Sequence, residues 1–136
     1  MSIHPAALAA ALVLASNAVF AQGIVGSFKG TEKLVVSNCG RYDGTSSNAW
    51  WATHSELEGA SYVIEGGTSN GSFSGKATLD GNTSTGKVSG VDTQGSAWTA
   101  TTMSTLDGDK FSGRSSGTVT GTPCTFTSEL EAQRVQ

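Results

Sequence analysis

The sequence has little charge and no charge block. Asp, Glu, Lys and Arg make up 14 % of its 136 residues, and the formal net charge is −3. Lys and Arg are scattered along the chain, which argues against nucleic acid as a partner and against binding to an anionic membrane surface. Gly, Ser and Thr dominate the rest, a composition more typical of secreted β-proteins than of cytosolic enzymes. Three Trp and five Phe, with Val and Leu in alternating runs, argue against disorder.

Long hydrophobic runs are also lacking. The apolar run from Ala6 to Ala15 is too short to span a bilayer comfortably. Val19 and Ala21, a few residues later, are small enough for the subsites of signal peptidase. We therefore expect residues 1–21 to be a signal peptide cleaved after Ala21, with a buried N-terminal helix as the alternative. The remainder, 22–136, should form one domain that is secreted or periplasmic and not inserted in a membrane.

Cysteine is scarce, since Cys39 and Cys124 are the only two in the sequence. In an exported protein an isolated pair most simply forms one disulfide. This disulfide would close a loop of 85 residues, which is worth roughly 4 to 5 kcal/mol in the chain-entropy model. A metal site is the alternative, but no second Cys or His lies near either cysteine. The prediction is therefore one disulfide, no metal site and no cofactor.

Helix signals are almost absent after residue 21, because Gly, Thr and β-branched residues recur too often. Turn pairs such as Asn70-Gly71 and Asp80-Gly81 separate segments in which apolar and polar residues alternate. Short turns favour an antiparallel meander of eight or nine strands, closed into a small β-barrel or, alternatively, packed as a β-sandwich. The strands are predicted at 25–30, 32–38, 49–57, 60–66, 71–79, 84–91, 96–105, 109–119 and 122–132.

The positions of the cysteines favour the barrel. Cys39 ends an early predicted strand and Cys124 begins the last one. A disulfide between them fits first and last strands that lie side by side and antiparallel, which closes a barrel. Residues 40–48 form the one longer polar connection, and loops of this kind are where function concentrates.

A Phe-Ser-Gly triplet occurs twice, beginning at Phe73 and at Phe111, and Phe28-Lys29-Gly30 is a looser copy. In a strand, residues two positions apart face the same side of the sheet. A large inward ring beside a missing side chain lets the strand bend. The basic residues that follow the full triplets, Lys76 and Arg114, should then face solvent. The triplets are interpreted as barrel architecture, which leaves the unrepeated residues as the candidates for function.

The pair Trp50-Trp51 is the most informative candidate for binding. Adjacent strand residues point to opposite faces, so one indole should be buried and the other displayed. We expect Trp51 to face inwards and Trp50 to form an external patch with His54 and Glu56, which share its face. Tyr42, in the polar connection, would join this patch. An exposed Trp flanked by polar groups can stack on a sugar ring or anchor a protein partner. The alternative is that the connection partly covers both indoles.

An enzymatic interpretation has to centre on His54, the only histidine after the predicted leader. Glu56 could orient it as a general base for a Ser nucleophile. Ser is so common here that a nearby one carries little information, and the strand–turn–helix context of a Gly-x-Ser-x-Gly nucleophile is missing. A surface histidine beside a carboxylate is the simpler interpretation, and the chain is predicted not to be an enzyme.

The stretch FSGRSSGTVTGTPCTFTSEL resembles the ending of small exported bacterial β-proteins of uncharacterised function. The matching residues are Cys39, Cys124 and Phe126, with Arg114 in the Gly-rich strand before the second cysteine. The resemblance covers the last third of the chain. It implies export, the disulfide and an all-β fold, and it implies no activity or substrate.

We expect an exported, non-enzymatic binding module that contacts a glycan or a protein through Trp50, Tyr42 and the 40–48 connection. The alternative is a structural or inhibitory protein of the periplasm or cell surface that acts through a loop or an edge strand. The interior of the barrel distinguishes the ligand classes. A deep apolar pocket with converging polar groups favours a small molecule, whereas a filled interior beside an exposed Trp favours a glycan or a protein.

Overall fold

The structure is a computed structural model that describes residues 23–136. The predicted signal peptide, residues 1–21, and its cleavage after Ala21 lie outside the described residues. No helix within residues 23–136 is long and apolar enough to cross a membrane.

Eight antiparallel strands close into a barrel in which each strand pairs with its neighbours along the chain and the first pairs with the last. The all-β antiparallel barrel is therefore confirmed, and the sandwich is not formed. A 3₁₀ turn, Gly40–Tyr42, lies between the first two strands. The bounds of the strands are β1 Gly26–Ser37, β2 Gly44–Glu56, β3 Ser61–Thr68, β4 Gly71–Asp80, β5 Thr83–Asp92, β6 Ala97–Asp107, β7 Lys110–Val119 and β8 Thr125–Arg134.

The two largest differences from the predicted strands lie in the first third of the domain, and the other bounds agree to within three residues. The predicted strands 25–30 and 32–38 are one strand, because Thr31 stays in register with Ala49 on one side and Glu131 on the other. The predicted connection 40–48 is shorter than expected. Its second half, from Gly44 onwards, pairs with the end of β1 and belongs to β2. Polar composition indicated a loop there, but backbone pairing along a barrel wall does not need apolar side chains.

Period-two alternation sorts each strand into an inner and an outer face. In β1 the even-numbered residues face the interior, and register carries this face round the barrel, since paired residues lie on the same side of a sheet. The core side chains on the inner face are mainly apolar or aromatic. They include Phe28, Trp50, Tyr62, Ile64, Phe73, Val88, Trp98, Phe111 and Phe126.

The Phe-x-Gly triplets have the predicted orientation in the barrel wall. Phe73 and Phe111 face the interior with the glycines two positions on, while Lys76 and Arg114 are exposed. A Cβ at Gly75 would overlap the carbonyl oxygen of Lys87 on the neighbouring strand. Glycine is therefore required where the two strands approach closely.

The barrel has two different ends. The closed end carries the turns 57–60, 81–82 and 108–109 together with the incoming residues Gly23–Val25. The open end carries the loops 38–43, 69–70, 93–96 and 120–124. The predicted disulfide is confirmed at the open end, where Cys39 follows β1 and Cys124 precedes β8, with their Cα atoms 4.5 Å apart. It joins the loops on either side of the β1–β8 seam, as expected for first and last strands that lie side by side.

Candidate ligand cavity

The barrel is hollow in its upper part. A cavity of about 670 Å³ runs from the middle of the barrel to the loops of the open end. Four aromatic side chains form a belt around it, with ring centroids 6.0 Å apart for Trp50 and Phe73, 6.4 Å for Phe73 and Trp98, and 5.6 Å for Trp98 and Phe126. These flat, apolar surfaces suit a hydrophobic or aromatic occupant.

The exposure of inward-facing residues changes along the barrel. Near the closed end Phe28, Tyr62 and Phe111 are buried. Towards the open end the inward side chains of Phe73 and Trp98 are only partly buried, although they lie on the same face. Residues of the open-end loops, including Asn70, Gln94 and Pro123, also line the cavity, so the cavity extends to that end.

The closed end is plugged by the residues that enter β1, and Arg134 holds this plug. Its guanidinium donates hydrogen bonds to the carbonyl oxygens of Gly23 and Val25, the latter over 2.7 Å, and it pairs with Asp109 at 3.1 Å. The same group lies 4.8 Å from the centre of the Phe28 ring, within cation–π range. One side chain near the end of β8 thus joins the plug, the β6–β7 turn and the core.

His54 forms part of the cavity floor and is 1 % exposed. Its Nδ1 lies 3.1 Å from the carbonyl oxygen of Ile24 in the plug. A carbonyl oxygen only accepts hydrogen bonds, so Nδ1 carries the proton and Nε2 presents a lone pair. Burial lowers the pKa of His54 to about 4, the Ile24 hydrogen bond opposes this shift, and the charge of Arg134 adds to it. The imidazole is therefore neutral near pH 7.

Glu32 is a carboxylate on the inner face of β1 and lines the cavity wall. Asn48, its partner in register on β2, donates a hydrogen bond to Oε1 over 3.3 Å. Burial raises the pKa of Glu32, and the Asn48 hydrogen bond only partly offsets this effect. The wall therefore contains a polar group that is costly to ionise and that can exchange hydrogen bonds with an occupant.

The rim of the cavity is polar and is tied at several points. Tyr42 lies in the 3₁₀ turn, is 57 % exposed, and accepts a hydrogen bond from Arg41 over 2.9 Å. Asp92 accepts hydrogen bonds from the backbone N–H groups of Gln94 and Ser96, both over 2.9 Å, which shapes the β5–β6 loop. With the disulfide, these contacts hold the loops around the mouth.

The expected orientation of the tryptophan pair is wrong. Trp50 is 7 % exposed and faces the interior, whereas Trp51 is 45 % exposed and faces outwards. Trp50 is in register with Gly30, which shares the inner face with Phe28. The ring of Trp51 lies on the outer face against Gly67, where a Cβ would come within 2.7 Å of it.

The external patch of Trp50, His54 and Glu56 is therefore not formed. Trp50 and His54 line the cavity and Tyr42 stands at its rim, but Glu56 is exposed at the end of β2 and does not line it. His54 is a buried histidine bonded to the plug, not a surface residue oriented by Glu56. The three residues share one face of the strand, but alternation does not say how deep each lies in the barrel.

Among the cavity residues that sequence reasoning missed are Glu32, Phe73, Trp98 and Phe126. Phe73 was interpreted as barrel architecture, as part of a Phe-Ser-Gly triplet, and Trp98 was not proposed as a binding residue. Glu32 had a detectable signal, because it occupies the same phase as Phe28 and Leu34. A lone acid on an otherwise apolar face is a candidate for a polar group inside a binding site.

The fold and the cavity define a closed eight-stranded β-barrel with a ligand-sized interior. No protein-family model matches the chain, and no curated protein matches its sequence. A redesigned β-barrel, mFAP1, whose structure holds DFHBI, is similar with a TM-score of 0.54 and 16 % identity, covering 85 % of this chain and 98 % of that one.

A protein of unknown function from the DUF3598 family of Nostoc punctiforme is also similar. Its TM-score is 0.51 at 8 % identity, and the match covers 85 % of this chain and 49 % of that one, so the present chain corresponds to about half of that protein. At these identities the two likenesses show the barrel fold alone. The expected resemblance to β-proteins of uncharacterised function is supported only to this extent.

Proposed function

We propose that this protein is an exported, non-enzymatic barrel that binds a small, largely apolar molecule in its interior. The observation that carries the proposal is the cavity of about 670 Å³ that opens at one end and is ringed by Trp50, Phe73, Trp98 and Phe126. Its volume lies within the range of about 300 to 1,000 Å³ that is usual for small-molecule sites. Glu32 and His54 supply the few polar groups that such sites use to orient a ligand.

Three further observations support parts of this proposal. The disulfide between Cys39 and Cys124 suits an oxidising compartment, in agreement with the leader predicted at residues 1–21. The plug at the closed end gives the site a floor, so that a ligand enters from one side. The redesigned barrel that holds DFHBI has a similar fold.

A glycan or a protein bound at the rim is the second candidate. Trp50 no longer supports it, because its indole lies inside the barrel. Tyr42 does support it, since 57 % of its surface is exposed beside the mouth and its hydroxyl is held by Arg41. The two candidate sites lie in different parts of the protein. Substitutions in the interior should therefore weaken binding at the first, and Tyr42→Ala should weaken binding at the second.

The neutral fluorescent probe N-phenyl-1-naphthylamine tests the interior site, because its emission rises in apolar surroundings. Wild-type protein should bind it with a saturable increase in emission. Ala100→Phe places a ring in the cavity and should weaken binding at least tenfold. The control, Thr101→Phe, adds the same ring to the outer face of the same strand and should leave binding unchanged.

Trp51→Phe provides a protein whose remaining indoles, Trp50 and Trp98, both line the cavity. In this variant, energy transfer from tryptophan to the probe should be retained. Absence of saturable binding, or equal binding by Ala100→Phe and Thr101→Phe, would overturn the interior site. A glycan array on which wild-type protein binds and Tyr42→Ala does not would favour the second candidate.

A further inference from the structure

The floor of the cavity contains an unpaired hydrogen-bond acceptor. Nε2 of His54 is buried and has no hydrogen-bond partner among residues 23–136. Buried polar atoms without partners are uncommon in native proteins, because the lost interaction with water is not replaced. The proposed binding function explains the other features of the cavity wall, but it does not by itself explain why the floor carries a histidine.

The orientation of the His54 ring is set by its surroundings. Nδ1 faces the plug through its bond to Ile24. The centroids of Phe28 and Tyr62 lie 4.9 Å from the imidazole centroid, and that of Phe111 lies 5.0 Å away. A ring fixed in this way cannot turn to find another partner for Nε2. His54 also lines the cavity, and a ligand that partners Nε2 would approach from there.

The chemistry of this partner follows from the tautomer. With the proton on Nδ1, Nε2 can only accept a hydrogen bond, so its partner must be a donor. The charged groups nearby favour a neutral donor over an ammonium group. Arg134, a cation, lies beneath the floor and acts on His54. Among the described residues the acids that line the cavity are Glu32 and Asp92, and both lie towards the open end.

Glu32 and His54 are far apart along the barrel wall. Glu32 is in register with Asn48, and His54 follows Asn48 by six residues on β2. This corresponds to about 20 Å along the strand. A cationic group at the floor would therefore lie far from a compensating carboxylate and would be poorly solvated.

We propose that the ligand is an aromatic or alicyclic alcohol, whose hydroxyl enters first and donates a hydrogen bond to Nε2 of His54. This inference rests on the proposed binding function and adds the class and the orientation of the ligand. The apolar body of the molecule then lies against the ring belt above the floor. A water bound at Nε2 in the free protein is compatible with this arrangement, because the hydroxyl replaces it.

Three biphenyls of similar shape test the inference. 4-Phenylphenol has a donor, 4-methoxybiphenyl has an acceptor only, and 4-methylbiphenyl has neither. The affinity of wild-type protein and variants for each is measured by isothermal titration. The ratio of affinities, 4-phenylphenol to 4-methylbiphenyl, should fall about fivefold in His54→Phe, which is the scale of one net hydrogen bond. 4-Methoxybiphenyl should behave like 4-methylbiphenyl in both proteins.

Tyr62→Phe is the matched control. It removes another buried polar group from the same aromatic cluster, but that hydroxyl is bonded to Ser84 over 2.7 Å. The affinity ratio should stay within twofold of the wild type. A ratio that falls equally in Tyr62→Phe and His54→Phe would overturn the inference, because it would reflect general loosening of the core.

Nitrogen-15 NMR of wild-type protein gives a readout that needs no variant. The Nε2 resonance of His54 should be that of an unprotonated ring nitrogen and should move upfield with 4-phenylphenol but not with 4-methylbiphenyl. If both compounds bind and this resonance responds to neither, the inference is overturned while the binding function stands. If no biphenyl binds and N-phenyl-1-naphthylamine does not bind either, both are overturned.

Discussion

The two ends of this barrel are built from the same alternating strands, yet one is packed and the other is hollow. At the closed end, Phe28, Tyr62 and Phe111 surround His54 and are buried. At the open end, inward rings such as Trp98 remain partly exposed to the cavity. An inward position on a strand is therefore not by itself a core position. It becomes one only where other side chains or chain segments fill the space beside it.

The difference comes from what each end receives in addition to the wall. The closed end receives residues 23–25, whose carbonyl oxygens are bound by Arg134 and His54 and whose Ile24 side chain is fully buried. The open end receives no such segment within the described chain, and its loops are joined by a disulfide. Apolar surface left uncovered there does not stabilise the fold, but it is available to stabilise a bound ligand.

The largest effect is expected from the covalent link at the open end. Replacing both cysteines, Cys39→Ala with Cys124→Ala, removes a cross-link between residues 85 positions apart. The unfolded chain then regains conformational entropy, so the free energy of unfolding should fall by roughly 4 to 5 kcal/mol. Urea unfolding followed by tryptophan fluorescence measures the change. Reduced wild-type protein is the control and should show the same loss, whereas an unchanged midpoint would contradict the prediction.

The second largest loss of stability is expected at the closed end when the pH is lowered. His54 has a pKa of about 4 in the folded protein against 6.5 for the free side chain. Between these values the unfolded chain binds a proton that the folded protein does not, so stability is complete above pH 6.5 and is lost as the pH falls towards 4. The contribution is on the order of 3 kcal/mol.

This contribution is isolated by comparing the unfolding free energies of wild-type protein and His54→Phe at pH 7 and pH 4. Carboxylates elsewhere affect both proteins alike, and Arg134 and Tyr62 beside the ring are retained. As the pH falls, the unfolding free energy of the wild-type protein should decrease more than that of His54→Phe. A gap independent of pH would show that the closed end does not exclude the charged imidazole.

A smaller loss is expected from Arg134→Ala, which releases the plug. The substitution removes hydrogen bonds to Gly23 and Val25 and the contact with the Phe28 ring. We expect a fall of about 2 kcal/mol in unfolding free energy, with faster hydrogen exchange in residues 23–28. The control is Arg114→Ala on the exposed outer face, which should change stability little. Equal effects of the two substitutions would mean that Arg134 does not hold the plug.

The smallest change in stability is expected from a substitution in the wall of the cavity, and it is a gain, not a loss. Burial raises the folded-state pKa of Glu32 above 4.5, so its ionisation costs stability as the pH rises through that value. Glu32→Gln keeps the shape and the Asn48 contact without the charge. This variant should be more stable than the wild type at pH 7, and the difference should vanish below pH 4.5. Glu131→Gln on the outer face is the control, and a destabilised Glu32→Gln would contradict the expectation.

Much of the fold could be predicted because its causes are local. Turn pairs, alternation and the spacing of Cys39 and Cys124 were sufficient for an antiparallel barrel with a disulfide at its seam. The split of β1 and the long polar loop were wrong because strand ends depend on partners. Gly44 continues β2 only because the end of β1 is there to pair with it.

The candidate site was predicted less well, for two physical reasons. Alternation places Trp50 and Trp51 on opposite faces, but which face is inside depends on pairing with Gly30 and with β3. Alternation also cannot distinguish His54 from Glu56, which share a face and differ in depth. Tyr42 was correctly predicted to lie in a loop, which the structure places at the mouth, because its position does not depend on the face or depth of a strand residue.

The sequence by itself determined the chemistry of this protein: an all-β chain with one disulfide, inward apolar stripes, a single histidine after the predicted leader and an acid on an apolar face. Only the tertiary structure decided that the stripes enclose a cavity and that the histidine lies at its floor. Whether a barrel is filled depends on how the side chains of eight strands meet in three dimensions. This packing depends on strand register and on the plug, which bring together residues that are far apart in the chain.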